Sequence, residues 1–351
     1  MVIVKSNLEN LSISLSGTLD NSDKGFFCSF DWYKNFISTV VSAMGVESGF
    51  IYDEDNPSVV LPVQFIKEGA IRTIRSLTNY YSPIYSIVNE AYISNDRNIT
   101  DFFLETKEKL PVWDVIDLRP LDAHEASYLQ KQLLLAKLPF VSYFCFGNWF
   151  LELEGRSFAE YYQELSSQLR NTISRKSKKF FMMDGASIEI IQFEKDLDRG
   201  IEAYDSVYQS SWKVSEPFPA FIPGLIRLAA SQGALRLGIA YLDGKAVASQ
   251  LWIVSNGTAY IFKLAYDNDY KNLSVGSILT KQLMEYVIDI DKVNVVDYLC
   301  GDDVYKKDWM SKRRERLGLM IFNTSTLNGV ILLSKESLKN LIKRFKKKLI
   351  N

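Results

Sequence analysis

Histidine is almost absent from this sequence, and its scarcity excludes several kinds of site. His124 is the only histidine among 351 residues, and it stands at a predicted helix start in LDAHEASYL, where we interpret it as structural. Histidine-based triads, HExxH zinc sites and two-histidine iron sites are therefore not expected. We expect no bound metal, so any chemistry rests on carboxylates, tyrosine, lysine, backbone amides or a bound cofactor.

Cysteine and long apolar runs are also scarce. The three cysteines, Cys28, Cys145 and Cys300, lie far apart and form no CxxC pair. This pattern argues against a disulfide framework or a zinc site and favours a reducing compartment. The N-terminal stretch MVIVKSNLENLSIS has no basic-then-apolar signal pattern, and no uncharged apolar run approaches the roughly 18 residues of a membrane span. We expect a cytoplasmic protein.

The net charge is close to zero, which excludes a globally basic nucleic-acid binder. The formal charge is −1, with 47% hydrophobic and 24% charged residues, a composition typical of soluble globular proteins. The length predicts about two domains.

The second half of the chain predicts an antiparallel meander followed by a crossover. Three strand-like runs are joined by Asp243-Gly244 and Asn256-Gly257, which favour tight hairpins because both residue pairs accept positive φ: 235–242, 245–254 and 258–266. A helix with a periodic apolar face follows, then an apolar strand at 293–299, a short helix around 304–312 and a closing strand at 317–323. The strand after the helix is expected to lie parallel to the third strand.

The first half repeats this order. Residues 48–77 read as three strands, a helix is predicted near 99–109, and VWDVIDLRPL resembles VNVVDYL. A helix at 123–136 and the strand FVSYFCFGNWFLEL complete the half. We therefore predict two copies of one α+β unit, with an N-terminal domain at 1–155, a C-terminal domain at 156–330 and a terminal helix at 331–351.

The loop YDNDYKNLSVGSIL has the composition of an anion-binding site. It leaves the third strand and enters a helix, whose first backbone N–H groups point along the positive end of the helix dipole. Gly276 lets a ligand approach the backbone, Ser274 adds a donor and Lys271 adds a positive charge. The expected ligand is a phosphate or pyrophosphate.

The order of elements around this loop resembles the GNAT acyltransferase fold. In that fold an R/Q-x-x-G-x-G/A loop holds the pyrophosphate of acyl-CoA, and Lys271, Ser274 and Gly276 would correspond to its three fixed positions. The second half further resembles the CelD/BcsL-type branch, which is related to the FemAB peptidyltransferases, through LRNTISRKSKKF, SSW, FKLAYDNDYKNLSVGSIL and GDDVYKKDW. LTNYYSPIYS and GNWFLEL add to the resemblance in the first half.

The resemblance implies a mixed α+β protein of two tandem GNAT-like domains, each a mostly antiparallel twisted sheet with flanking helices. The first copy lacks the K-x-x-S-x-G step, so one acyl-donor site is expected per chain. Acyl-CoA, with acetyl-CoA as the first expectation, would be a co-substrate contacted by these residues: Leu264, Ala265, Tyr266, Lys271, Asn272, Leu273, Ser274, Val275, Gly276 and Ser277.

Acyl transfer also needs a base, an acid and a slot for the reacting carbonyl. The splayed strands IFKLAY and VVDYLC would form the slot. Asp302 is a candidate base, although Asp302 and Asp303 also read as helix caps. Tyr305 could protonate the leaving thiolate, and Lys306 could hold a substrate phosphate or carboxylate. The predicted acceptor-binding residues are Arg170, Arg175, Trp212, Gln250 and Lys263.

Three functions remain open. The first is an acyl-CoA-dependent transferase that acts on an amine or hydroxyl of a sugar, polysaccharide or cell-envelope precursor. The second is a Fem-like transferase that uses aminoacyl-tRNA and a cell-wall precursor. Fem proteins often carry a long helical hairpin for tRNA, and this chain has no room for one, which favours acyl-CoA. The third is a non-catalytic binding protein on a GNAT fold.

Two basic segments each have two interpretations. The segment FAEYYQELSSQLRNTISRKSKKF (158–180) is predicted to be a helix that ends in a basic cluster. This cluster either interacts favourably with the helix dipole or binds an anion. The segment 334–350 carries seven basic residues and one acidic residue beside an apolar helical face formed by Leu338, Leu341, Ile342, Phe345 and Leu349. It either packs on the protein body or binds an anionic membrane surface peripherally.

Overall fold

The structure is a computed structural model that describes residues 2–5, 19, 25–52, 59–87, 96–110 and 112–350. Within these ranges, the side chains of residues 2–5, 96–98, 340, 341 and 343–350 are outside the description. The predicted turn at 53–58 and the side chains of Leu341, Phe345 and Leu349 therefore lie outside the described residues.

The strands and helices follow one another as a mixed α+β chain. The strands are β1 (Val2–Lys5), β2 (Glu47–Tyr52), β3 (Val60–Glu68), β4 (Ile71–Ser76), β5 (Val115–Asp122), β6 (Phe140–Glu152), β7 (Ser187–Ile191), β8 (Leu235–Leu242), β9 (Lys245–Ser255), β10 (Thr258–Tyr266), β11 (Val295–Asp297) and β12 (Lys312–Phe322). The helices are α1 (Phe30–Phe36, continuing through Ile37–Val41 to Ser42–Met44), α2 (Asp96–Lys109), α3 (Ala123–Leu135), α4 (Phe158–Glu164), α5 (Ser167–Phe181), α6 (Leu197–Gln209), α7 (Phe221–Ser231), α8 (Val275–Asp289) and α9 (Leu327–Ile350).

The first compact unit consists of Met1–Phe146 and Glu315–Asn351. Its strands β1 to β4 pair antiparallel in chain order. After helix α2, strand β5 returns parallel to β4, as the crossover rule predicts. The core of this unit contains apolar side chains from α2, α3 and the sheet, including Phe103, Leu129 and Ile116.

The second compact unit is Gly147–Arg314. Its strands β7 to β10 form an antiparallel meander, and after α8 the strand β11 runs parallel to β10. The hairpin turns have φ values of +51° and +74° at Asp243-Gly244 and +48° and +69° at Asn256-Gly257. The predicted meander, turns and parallel crossover are therefore all present.

Both units share the predicted order of meander, helix and parallel strand, but each is completed by a strand from the other half of the sequence. The end of β6 pairs antiparallel with β11 in the second unit. Strand β12 pairs antiparallel with β5 in the first unit. The units consequently divide at 146/147 and 314/315, which differs from the expected boundaries at 155/156 and 330/331.

Three predicted elements differ in extent. The helix expected across 158–180 is interrupted at Leu165, which has an extended ψ of 151°, and Ser166 caps the following helix α5. The strand expected at 293–299 is reduced to Val295–Asp297. The short helix expected around 304–312 is a 3₁₀ helix, Val304–Asp308.

Among the described residues, no helix combines the length and apolarity needed to cross a membrane.

Candidate active site

Strands β10 and β11 separate after a short parallel ladder. The paired residues are Thr258–Tyr260 and Val295–Asp297. Just beyond this point the register between β9 and β10 shifts between Ile261 and Lys263, which marks a β-bulge. Strand β10 continues in its pairing with β9, so an opening forms between β10 and the chain after β11. This opening matches the predicted splay, where a backbone N–H could face a reacting carbonyl.

The predicted anion-binding loop lies directly after β10. Residues Asn268–Leu273 form a 3₁₀ helix, and Ser274 adopts the left-handed conformation with φ +58° before α8 begins. The Ser274 carbonyl accepts hydrogen bonds from the N–H groups of Ser277 (3.0 Å) and Ile278 (3.2 Å). No side chain caps α8, so the N–H groups of Val275 and Gly276, which precede the first helical hydrogen bonds, are available to an anion.

Asp267 fixes the shape of this loop. Its carboxylate accepts hydrogen bonds from Asp269 N (2.9 Å) and Lys245 Nζ (2.8 Å). Burial acts to raise the pKa of Asp267, but these bonds outweigh it and leave the pKa lowered. Asp267 is therefore ionised at neutral pH and serves the loop rather than the reaction.

Gln250, predicted to bind the acceptor, is instead a buried anchor for α8. Its Nε2 donates to the Gly276 carbonyl (2.9 Å) and to Thr280 Oγ1 (2.8 Å). Its Oε1 accepts from Trp252 Nε1 (2.9 Å). Because both ends of the amide are engaged, Gln250 positions the first turn of α8 from strand β9.

The basic residues of α5 have different surroundings. Lys176 Nζ donates to the carbonyl of Asn272 in the predicted anion-binding loop, and α5 packs against α8. Arg170 Nη1 donates to Gln163 Oε1 at 2.8 Å, a contact near the start of the helix. Arg175 is exposed. Within the part of the chain that the structure describes, neither predicted residue of this helix, Arg170 or Arg175, is seen to contact the loop. Their neighbour Lys176 does.

The segment after α6 covers the end of β10. The indole of Trp212, half exposed, packs against the ring of Tyr266, the last residue of β10, with the centroids 4.4 Å apart and the ring planes tilted by 42°. The carbonyl of Ser210 accepts a hydrogen bond from Asn268 N (3.2 Å). Trp212 and Tyr266 thus present an exposed aromatic surface beside the donor loop.

Lys263, at the bulge of β10, is paired rather than free for a ligand. Its Nζ lies 2.7 Å from Glu216 Oε1, and both side chains are largely buried. Burial and a hydrogen bond to Glu216 raise the pKa of Tyr208 above its ordinary value. Glu216 is therefore shared between a lysine and a tyrosine hydroxyl.

Lys213 joins this group from the segment between Trp212 and Glu216. Its Nζ lies 5.7 Å from the ring centroid of Tyr208 and 5.8 Å from that of Trp212. Burial, with the neighbouring charge of Lys263, lowers the pKa of Lys213 to about 8. The amine is therefore substantially neutral just above physiological pH.

The predicted catalytic residues lie on the turn after β11, but two of them are committed to structure. Asp302 forms a two-pronged pair with Arg313, at 2.7 and 2.6 Å, and accepts from Trp149 Nε1 at 3.1 Å. Hydrogen bonding to Arg313 holds the pKa of Asp302 below its usual value. A carboxylate stabilised in its charged form is a weak base, so the geometry does not favour Asp302 in that role.

Lys306 is 4% exposed and holds the turn together. Its Nζ donates to the carbonyls of Tyr298 (3.3 Å), Cys300 and Gly301 (3.4 Å) and lies 3.4 Å from Asp303 Oδ2. With its donors used in this way, Lys306 organises the backbone instead of holding a substrate anion.

Tyr305 remains accessible beside them. Its ring is 42% exposed and meets the Tyr298 ring edge-on at 5.8 Å. Burial and the charge of Asp303 raise the pKa of Tyr305. The hydroxyl therefore stays protonated across the neutral range and can act as a proton donor.

The sequence did not indicate Lys213, Glu216 or Tyr208. Tyr208 belongs to an apolar helical stripe that predicts packing, and Lys213 and Glu216 lie in a short irregular segment without periodicity. The one available signal was the position of Lys213 and Glu216 shortly after SSW, one of the fragments that carry the family resemblance. Within the described residues, no group of three or more His, Cys, Asp or Glu side chains could hold a metal ion.

Comparison with known proteins agrees with the fold. Residues 167–307 match the family model for an acetyltransferase (GNAT) domain. The chain superposes on FemX with a TM-score of 0.65 and 10% identity, covering 94% of this chain and 100% of FemX. The second unit therefore has the fold of GNAT-type acyl and aminoacyl transferases.

Two further solved structures have the same fold. The C-terminal domain of a putative lysylphosphatidylglycerol synthetase from Agrobacterium fabrum gives a TM-score of 0.56 at 10% identity, covering 92% of this chain and 95% of that one. L-PGS from Bacillus licheniformis gives 0.53 at 10% identity, covering 93% and 96%. No curated protein matches the sequence.

Proposed function

We propose that this protein is an N-acyltransferase that takes its acyl group from acyl-CoA at the start of α8. The observation that carries the proposal is the uncapped N-terminus of α8, entered through the left-handed Ser274. The N–H groups of Val275 and Gly276, with the charge of Lys271, suit a pyrophosphate. Lys176, whose amine reaches the loop at Asn272, adds a second cation nearby.

The thioester end of the donor would lie in the opening between β10 and the chain after β11. The bulge between Ile261 and Lys263 changes the direction of the backbone at the mouth of this opening. An N–H group aimed there would stabilise negative charge on the acyl oxygen. Tyr305 would supply the proton that the departing thiolate takes.

We propose an amine of a sugar, polysaccharide or cell-envelope precursor as the acceptor. The half-exposed indole of Trp212, packed at a tilt against Tyr266, offers an aromatic face beside the candidate donor loop, and a sugar ring has an apolar face that fits such a ring. The CelD/BcsL-type resemblance favours the same class of acceptor. Hydroxyl acceptors remain within the proposal.

A Fem-like transfer from aminoacyl-tRNA is the second candidate. It is favoured by the superposition on FemX, which covers all of FemX. Because FemX has no part that this chain lacks room for, the missing helical hairpin no longer argues against a Fem-like activity. A non-catalytic binding role is the third candidate. Salt-dependent binding of tRNA with no CoA binding would favour the Fem-like candidate.

Replacing Gly276 with valine is expected to weaken CoA binding by about tenfold or more, or roughly 1.4 kcal/mol. A Cβ at Gly276 would meet only Tyr266 Cδ1, at 3.4 Å, so the fold has room for the first carbon of the side chain, while the pyrophosphate loses its approach to the backbone. Isothermal titration calorimetry with CoA measures the effect, with one site per chain expected. An unchanged affinity would contradict the loop assignment.

Charge is tested separately by Lys271→Ala, which should weaken CoA binding several-fold, less at high salt. Lys292→Ala, beyond the opposite end of α8, is the matched control and should leave affinity unchanged. Equal effects of the two substitutions would mean that Lys271 acts only through the overall charge.

We also propose that the basic helix at the C-terminus contacts anionic membranes. Leu338 and Ile342 on α9 are exposed, as are Lys335 and Lys339, so this part of the helix presents apolar and basic groups together. The full chain should float with anionic but not neutral liposomes, and high salt or truncation after residue 333 should abolish flotation. Equal flotation of full and truncated chains would contradict membrane binding by this helix.

A further inference from the structure

The amine of Lys213 lies over the ring of Tyr208, which Lys263 from the bulge of β10 also contacts, and it has no polar partner among the described residues. Its contacts are the rings of Tyr208 and Trp212, and no carboxylate or carbonyl of the described chain lies within bonding distance. The other two lysines of the group are engaged: Lys263 pairs with Glu216, and Lys306 holds three carbonyls. Of the three lysines Lys213, Lys263 and Lys306, Lys213 is thus the one whose nitrogen, when neutral, can accept a proton.

Charged groups from both sides of the opening act on this amine. Lys263 comes from β10, Asp303 and Lys306 come from the turn after β11, and all three act electrostatically on Lys213, as does Glu216 from its own segment. Because Lys263 lies at the β-bulge beside the opening and contacts the same tyrosine ring as Lys213, the Lys213 amine is a candidate to meet an acceptor nucleophile that enters there.

The balance of these charges decides which lysine gives up its proton. The Nζ atoms of Lys263 and Lys213 both contact the ring of Tyr208, at 5.8 and 5.7 Å from its centroid. Lys263 keeps its charge because Glu216 compensates it at 2.7 Å. Lys213 bears the cost of burial and of the nearby Lys263 charge without a direct counter-ion, and its ring contacts at 5.7 and 5.8 Å offset only part of that cost.

We propose that the neutral amine of Lys213 is the general base that removes the proton from the acceptor amine during acyl transfer. This inference rests on the proposed function. As the new C–N bond forms and the C–S bond breaks, Lys213 takes one proton from the attacking nitrogen and becomes an ammonium ion. The thiolate takes a proton from the Tyr305 hydroxyl, and the proton held by Lys213 returns through solvent to the phenolate, which restores both residues.

The fall in pKa of Lys213 to about 8 suits this role, because a base works best when its pKa is near the working pH. The rate should rise as the pH increases through about 8 and then level off, since only the neutral amine accepts a proton. Lys263→Met removes a positive charge and leaves Glu216 uncompensated. Both changes raise the pKa of Lys213, so the rise should move to higher pH.

The decisive comparison is between Lys213→Arg and Lys213→Met. Arginine keeps the charge but cannot act as a base near neutral pH, so both variants should lose about 10²-fold or more in kcat, while the acceptor KM changes little. The pH-dependent rise should disappear in both. Retention of activity by Lys213→Arg, with a raised KM in Lys213→Met, would mean that the lysine binds an acceptor anion and would overturn the proposal. Wild-type kcat in Lys213→Met would overturn it as well.

A second measurement needs neither donor nor acceptor. Brief acetic anhydride labelling of the intact protein across pH, followed by peptide mass spectrometry, gives the midpoint at which Lys213 becomes reactive. We expect a midpoint near 8 in the wild type and a higher one in Lys263→Met. A wild-type midpoint near the ordinary lysine value of about 10.4 would overturn the inference. Failure of the wild type to bind CoA would instead remove only the assignment of acyl-CoA as the acyl donor.

Discussion

Replacing Tyr305 with phenylalanine is expected to lower kcat by about 10²-fold or more while leaving the CoA dissociation constant nearly unchanged. The substitution removes only the hydroxyl, and the edge-on contact with Tyr298 is retained by the phenylalanine ring. A positioned proton donor contributes roughly 10²–10⁴-fold to a rate. Because the raised pKa of Tyr305 keeps the hydroxyl protonated, the loss should be similar across the neutral range.

The matched control is Tyr241→Phe, the same substitution at the β8 end. Tyr241 accepts a hydrogen bond from Arg199 at 3.3 Å, a residue to which no part of the reaction is assigned. It should leave both kcat and CoA affinity unchanged. An acceptor is needed first, and mass-spectrometric screening of cell extracts for an acyl-CoA-dependent mass gain would supply one. A wild-type rate in Tyr305→Phe would remove Tyr305 from the mechanism.

The parts of the fold that local signals determine could be predicted from the sequence. Asp243-Gly244 and Asn256-Gly257 adopt the positive φ values that tight hairpins need, so the meander β8 to β10 follows from the order of residues. The amphipathic period of α8 and the parallel return of β11 follow from the same kind of local pattern.

The exchange of closing strands could not be predicted in this way. Pairing of β6 with β11 and of β12 with β5 joins segments that are far apart in the chain, and neither strand carries a local mark of its partner. The interruption at Leu165 did have a local signal, since Ser166 accepts from Leu169 N as an N-cap. Apolar residues at helical spacing run through the break from 158 to 173 and concealed this capping signal.

The candidate anion-binding loop could be proposed from sequence because its residues are contiguous, whereas the lysine group could not. Lys213, Lys263 and Lys306 come from three separate segments, and their different states depend on burial and on carboxylates that only the fold brings near. Lys306 shows the difference most plainly. Sequence presents it as an exposed cation for a ligand, and the structure buries it among carbonyls.

A buried carboxylate holds the turn that carries Tyr305 and Lys306. Asp297, at the end of β11, is fully buried. Its Oδ1 accepts from Leu299 N and Asn148 Nδ2, each at 2.6 Å, and its Oδ2 pairs with Arg314. Leu299 has a φ of +54°, a conformation that costs about 1–3 kcal/mol for a residue other than glycine and that Asp297 maintains.

Asp297→Ala is therefore expected to lower the free energy of unfolding by about 3–5 kcal/mol, because it leaves Arg314 uncompensated and releases the strained turn. Urea titration followed by tryptophan fluorescence measures the loss. Asp297→Asn, which can still accept from Leu299 N but loses the charge, should show an intermediate loss. Glu152→Ala removes the partner of Lys312 in an exposed ion pair and should have a much smaller effect, so equal losses for Asp297→Ala and Glu152→Ala would contradict the role of Asp297.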